Sequence, residues 1–304
     1  MKKEIAIIGF PMDLGASRRG VDMGPFALRV AQIKAKLKQL NYIVHDIGNI
    51  DIPFPENLKA PPNPSAKFLT EIAEANRRLA DVVYENLQKS RIPLVLGGDH
   101  SLAIGSVAGT SRYFQEQEKK IGLLWLDAHA DINTPQTSPT GNIHGMPVAH
   151  ILGLGEKQLS QLSGKAPMVD PESCVIIGLR DVDEGEKQTL CDLGVHVFTM
   201  QHIDEMGLAK VMDEALTIVQ AKTSGFHLSF DVDWIDPQGA PGVGTPAPGG
   251  ATYREGHLAM EKAFDTGKII AIDIAEVNPI MDHGNQTAIM AVEMVVSAFG
   301  KKIL

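Results

Sequence analysis

The sequence predicts an α/β fold: one doubly wound domain spanning residues 1–304, with an eight-stranded parallel sheet and helices on both faces. Three observations predict it. Short β-rich apolar runs recur about eight times, helical patterns separate several of them, and no internal repeat or low-complexity tract divides the chain. Strands alternating with helices mean a parallel sheet covered by helices. A length of 304 residues would also allow two domains, but the unbroken rhythm favours one.

The strand runs are 5–10 (IAIIGF), 42–47 (YIVHDI), 92–96 (IPLVL), 121–126 (IGLLWL), 174–179 (CVIIGL), 195–199 (VHVFT), 226–230 (FHLSF) and 269–274 (IIAIDI). Phe26, Val30, Ile33, Leu37 and Leu40 follow a helical period, as do Leu69, Ile72, Leu79, Val83 and Leu87. The proline-rich piece from Asp51 to Pro64 reads as a long surface loop, because the strand and helix rhythm resumes on both sides.

Apolar residues make up 44% and charged residues 21%, the balance of an ordinary globular protein. With Lys+Arg 28 against Asp+Glu 37 the formal net charge is -9, which argues against binding a nucleic-acid backbone. No apolar run approaches the ~20 residues of a membrane span. Of the two cysteines, Cys174 opens an apolar strand, so a disulfide framework or thiolate metal site is not expected and a reducing cytoplasm fits.

In an open parallel sheet, ligands bind beyond the carboxyl ends of strands. Three of those ends are polar: Gly97-Gly98-Asp99-His100-Ser101, Asp127-Ala128-His129-Ala130-Asp131 and Asp231-Val232-Asp233. Alternate residues of an extended strand end point the same way, about 7 Å apart, so Asp127, His129 and Asp131 converge and Asp231 with Asp233 repeats the device. Facing carboxylates repel unless a cation or shared proton lies between them. A single such motif is usually a turn or a solvated loop; three together point to a metal. Six candidate ligands, His100, Asp127, His129, Asp131, Asp231 and Asp233, exceed one tetrahedral ion and suit two bridged ions. Imidazole and carboxylate without thiolate favour Mn, Fe, Co or Zn. Paired ions predict a hydrolase.

These residues resemble the ureohydrolase family, and within it the arginase branch. The matching segments are Gly20 to Pro25, Gly97 to Ser101, Asp127 to Thr134, Gly141 to Gly145, Ser229 to Pro237, Gly244-Thr245-Pro246 and Glu276-Val277-Asn278-Pro279, in the family's order. The resemblance implies two Mn²⁺ per subunit and hydrolysis of the guanidinium of L-arginine to L-ornithine and urea by a metal-bridging hydroxide. It assigns His100, Asp127, Asp131 and Asp231 to one ion and Asp127, His129, Asp231 and Asp233 to the other, with Asp131 also bonding the hydroxide. It makes His144 the proton shuttle, with an unperturbed pKa near ~6.5. Glu276 is implied as the guanidinium's partner through paired hydrogen bonds, and Thr245 as an active-site threonine. Asn133, Ser138 and Thr140 would bind the amino-acid carboxylate, and Asp183 the α-amino group. A homotrimer or homohexamer is also implied. Thr140 and Trp234 depart from the expected serine and small residue; Trp234 is expected against the sheet edge or a neighbouring loop. The alternatives are a ureohydrolase for agmatine or a guanidino acid, and a silent binding protein on the same scaffold.

Overall fold

The computed structural model describes residues 3–61 and 63–302. Its eight strands are β1 (Glu4–Phe10), β2 (Ile43–Asn49), β3 (Arg91–Gly97), β4 (Gly122–Leu126), β5 (Cys174–Leu179), β6 (His196–Thr199), β7 (Phe226–Asp231) and β8 (Ile269–Ala275). Each falls on one of the eight apolar runs. They form one sheet in the order β2-β1-β3-β8-β7-β4-β5-β6, every pair parallel.

Alternation along the strands builds two cores. Leu94, Leu96, Leu124, Leu126, Val175 and Ile177 face one side, while Val95, Leu123, Trp125, Cys174 and Ile176 face the other. Helices cover both. Against the second core pack the helices Leu69–Gln88 and Leu102–Gln115, the former burying Ile72, Leu79, Val83 and Leu87. Against the first pack Leu208–Gln220, Tyr253–Asp265 and Gln286–Ala298. Because both faces are buried, the central strands are largely apolar rather than alternating, with His227 and Ser229 in β7 and Asp273 in β8 as buried polar exceptions.

The helical pattern from Phe26 to Leu40 is two helices, Gly24–Val30 and Ile33–Gln39. The break lies at Gln32, whose φ of 66° is left-handed. Phe26 and Val30 are 63% and 71% exposed, so they do not share a buried face with Ile33 and Leu37. Between Asp51 and Pro64 the described residues form loop apart from a single 3-10 turn, Pro55–Asn57; Pro62 lies outside the described residues.

The chain leaves β3 through the helix Leu102–Gln115 and passes over the places of β8 and β7 to reach β4. This reversal makes the carboxyl ends of the four central strands, β3, β8, β7 and β4, the walls of one crevice.

Candidate metal centre and active site

Each central strand delivers polar residues at its carboxyl end. His100 follows β3, Asp127 follows β4, Asp231 ends β7 and Glu276 follows β8. His100 Nδ1 lies 3.1 Å from Asp127 Oδ2, 3.1 Å from Asp131 Oδ2 and 3.0 Å from Asp231 Oδ2. Despite these distances it makes no hydrogen bond. Three carboxylate oxygens and a ring nitrogen gathered without bonding one another is the arrangement of ligands around a common cation. A second cluster adjoins it: His129 Nδ1 is 3.1 Å from Asp233 Oδ2 and 3.4 Å from Asp127 Oδ1. Asp127 therefore takes part in both, one oxygen toward each.

The electrostatics agree. Asp127, Asp131, Asp231 and Asp233 are all buried. Burial first, then the charge of Asp127, pushes Asp131 up to about 6. Asp231 is raised by burial first and then by the charges of Asp233 and Asp127, while Asp233 is raised by burial and the charge of Asp127, against the adjacent His129. Asp127 is held below its ordinary value because, against burial, the adjacent His100 and His129 rings prevail. Buried acids that repel in this way fit divalent ions, and the donor set of two imidazoles and four carboxylates suits Mn²⁺ among others. Two groups have ligand atoms within 4.8 Å of one another and could each hold a metal ion: His100 with Asp127 and Asp231, and Asp127 with His129 and Asp233.

Trp125 stacks on His100 at 4.0 Å between ring centres and donates its Nε1–H to Asp127 Oδ2 at 2.8 Å. Thr245 donates to Asp233 Oδ2 at 3.0 Å, so its hydroxyl proton serves a carboxylate of the cluster. Two acids of the site adopt left-handed backbone, Asp131 at φ 50° and Glu276 at φ 66°. Such strain in non-glycine residues persists only where the surroundings fix it. Here Glu276 N–H bonds Gly98 O at 2.8 Å, and Gly244 N–H bonds Glu276 O at 3.2 Å.

Glu276 Oε1 accepts from His100 N at 3.0 Å and lies 3.1 Å from His144 Nδ1, while Oε2 is buried and unpartnered. Only one oxygen remains for an incoming cation, in contrast to the paired contact expected. The two residues instead pair with each other. Burial lowers the His144 pKa, but the bond and charge of Glu276 outweigh it and raise it to about 9, above the unperturbed value expected. The pairing with Glu276 favours the protonated form of His144.

Two adjoining cavities open above these groups, of about 680 and 140 Å³, sharing His129, Asn142, His144 and Thr245 in their walls. Glu276, Arg18 and Asp181 line the larger; Asp131, Asn133, Ser138, Thr140, Asp183 and Asp231 line the smaller. Ser138 Oγ accepts from Gly141 N at 2.9 Å, and Thr140 Oγ1 from Asn142 N at 3.2 Å, which leaves both hydroxyl protons to donate. Asn133 Nδ2 bonds Asp183 Oδ2 at 3.0 Å and keeps a second N–H. All thirteen residues singled out by sequence converge on this crevice.

Two residues, Glu186 and Arg180, escaped the sequence reading. Glu186 is buried, bonds Ile132 N and Asp183 N, and is raised by burial to about 7. Its position three residues after Asp183 is a capping-box signal readable in the sequence. Arg180 donates to the carbonyls of Asp233 at 2.6 Å, Trp234 at 3.2 Å and Ala247 at 2.8 Å, clamping the loop that carries Asp233. Asp99 holds Gly15 N at 2.8 Å, and Gly15 O in turn accepts from His144 N at 3.1 Å. Trp234 lies in neither cavity wall: it is fully buried in the core, edge-on to Phe230, over the space that Gly178 leaves by having no side chain.

Comparison with known proteins agrees with this geometry. The model of the Arginase family matches residues 3–300. The arginase of Bacillus caldovelox is 47% identical over 302 residues, covering 99% of this chain and 100% of that one. The arginase of Bacillus subtilis (strain 168) is 48% identical over 304 residues, the whole of both. The B. caldovelox native structure matches with a TM-score of 0.95 over 100% of each chain. An Entamoeba histolytica arginase in complex with L-ornithine matches with a TM-score of 0.90 at 29% identity, covering 99% of this chain and 100% of that one. With its full length matched in both sequence and fold, the chain belongs to the arginase family and is a hydrolase.

Proposed function

We propose that this chain, a single catalytic domain, hydrolyses the guanidinium of L-arginine to L-ornithine and urea at a binuclear manganese centre. The observation that carries the reading is the buried, unpartnered Glu276 Oε2 in the cavity wall, with the donors of Ser138 and Thr140 and the carboxylate of Asp183 in the adjoining cavity. A guanidinium at one end and an α-carboxylate with an α-amino group at the other match that polarity.

His100, Asp127, Asp131 and Asp231 would hold one Mn²⁺, and Asp127, His129, Asp231 and Asp233 the other. Such a pair supplies a hydroxide nucleophile at neutral pH and positive charge for the oxygen it becomes. Asp131 accepts a hydrogen bond from the nucleophile. Glu276 Oε2 receives a guanidinium N–H and turns the carbon toward the four aspartates. His144 keeps its Nδ1–H against Glu276 and, as an imidazolium, gives the proton of its other ring nitrogen to the leaving amine. Thr245 fixes Asp233, and the Asn133 amide joins Ser138 and Thr140 at the carboxylate end.

The discriminating experiment is urea release from L-arginine and agmatine side by side after Mn²⁺ loading. Preference for agmatine would overturn the substrate assignment. With this reading go a cytoplasmic location, in keeping with two unpaired cysteines, and a homotrimer or homohexamer, which light scattering distinguishes. Among the described residues no helix is long and apolar enough to cross a membrane.

A further inference from the structure

Behind His100, away from the cavities, lies a chain of buried polar residues with no role in the chemistry above. His227, Ser229 and Asp273 are each fully buried on the adjacent central strands β7 and β8, where Ser229 and Asp273 are partners in register. Ser229 Oγ donates to Asp273 Oδ1 at 2.5 Å and lies 2.8 Å from His100 Nε2. Asp273 Oδ2 accepts from His227 Nε2 at 2.6 Å, and His227 Nδ1 is 3.1 Å from Thr110 Oγ1.

The bonds leave no freedom. A carboxylate only accepts, so the one hydroxyl proton of Ser229 points to Asp273. Ser229 then offers His100 only a lone pair, which obliges Nε2 to carry the hydrogen. The Nδ1 lone pair consequently faces Asp127, Asp131 and Asp231. We infer that Asp273, acting through Ser229, is a positioning residue that fixes the tautomer of His100 and so sets the affinity of the metal site that His100 serves. This rests on the two-metal reading proposed above.

Asp273→Asn keeps the shape but offers Ser229 a donor as well as an acceptor. Its hydroxyl can then turn toward Nε2, and the His100 proton can move to Nδ1, where a metal must displace it. Equilibrium dialysis of the full-length protein against Mn²⁺ reads the effect. One of the two ions is expected to bind about 10- to 100-fold more weakly in Asp273→Asn, with the other unchanged. Ser229→Ala is expected to weaken the same ion, and the double variant to be no worse than Ser229→Ala alone, since the serine is the only link. Unchanged affinity in Asp273→Asn, equal weakening of both ions, or additive losses in the double variant would each overturn the inference. If the parent protein itself binds fewer than two ions, the two-metal reading fails first.

Discussion

Replacing Glu276 by glutamine tests the proposed substrate geometry most directly. Oε1 is committed to His100 N–H at 3.0 Å and to His144 at 3.1 Å, so the amide oxygen of a glutamine takes that side and its NH₂ group lies where Oε2 was. A guanidinium has only donors to offer. The substitution removes one charge-assisted hydrogen bond, worth about 1.5–3 kcal/mol, and opposes two donors in its place. At about 1.4 kcal/mol per tenfold, kcat/KM for L-arginine should fall at least about 10- to 100-fold. Glu276 is outside both ligand sets, so Mn²⁺ content should not change. The variant also loses the charge that raises His144 to about 9, leaving burial to lower it. With His144 as the proposed acid, activity should then fail at a lower pH on the alkaline side. Urea release measured across pH at saturating Mn²⁺ reads both effects. A kcat/KM within threefold of the parent, with metal content intact, would refute the assignment of Glu276 to the guanidinium.

Three further outcomes are expected. His144→Asn should keep two Mn²⁺ per chain while turnover falls about 10²- to 10⁴-fold, and unchanged turnover would reject the proton-transfer role. Ser138→Ala combined with Thr140→Val should raise KM for L-arginine without affecting Mn²⁺ content; an unchanged KM would show that these hydroxyls do not meet the carboxylate. His150, fully buried with Nδ1 donating to Met146 O and Nε2 accepting from Glu156 N, has its pKa lowered by burial from 6.5 to about 4. The unfolded chain therefore binds more protons between these values, and this contribution to stability, complete above 6.5, is lost as pH falls toward 4, by about 2 kcal/mol at pH ~5. Urea unfolding followed by tryptophan fluorescence should show His150→Gln losing less stability than the parent between pH ~7 and ~5, and equal losses would reject the shift as a source of acid sensitivity.

What the sequence disclosed and what it hid divide along physical lines. Strands buried on both faces read as short apolar runs, so all eight were visible. Acids and histidines placed directly after such runs were visible too, because chain continuity carries them to the sheet edge. The break at Gln32 was not, since an amphipathic period from Phe26 to Leu40 says nothing about a single left-handed residue or about which face meets the core. The strain at Asp131 and Glu276 was hidden for the same reason. The clamp by Arg180 was hidden too, because the carbonyls it holds come from Asp233, Trp234 and Ala247, distant in the chain. Trp234 beside Asp233 replaces an expected small residue and is expected against the sheet edge or a neighbouring loop. In three dimensions Gly178 on β5 makes room for the ring within the core, so the bulk is turned away from the cavities.

The same distinction explains the charge. A net -9 on a folded surface would be diffuse, yet Asp99, Asp127, Asp131, Glu186, Asp231, Asp233, Asp273 and Glu276 are buried, while among the described residues no lysine or arginine is. Except for Glu186, which follows β5, all of these acids end, follow or lie within the four central strands. Buried charge at close range is screened little by salt, so the crevice keeps its negative field under conditions that erase surface charge effects. The two divalent ions proposed above would answer the inner acids, His144 answers one oxygen of Glu276, and the other oxygen has no partner. The excess acid thus resolves into a local demand for cations, and the part left unmet after metal binding has the sign and place of a guanidinium.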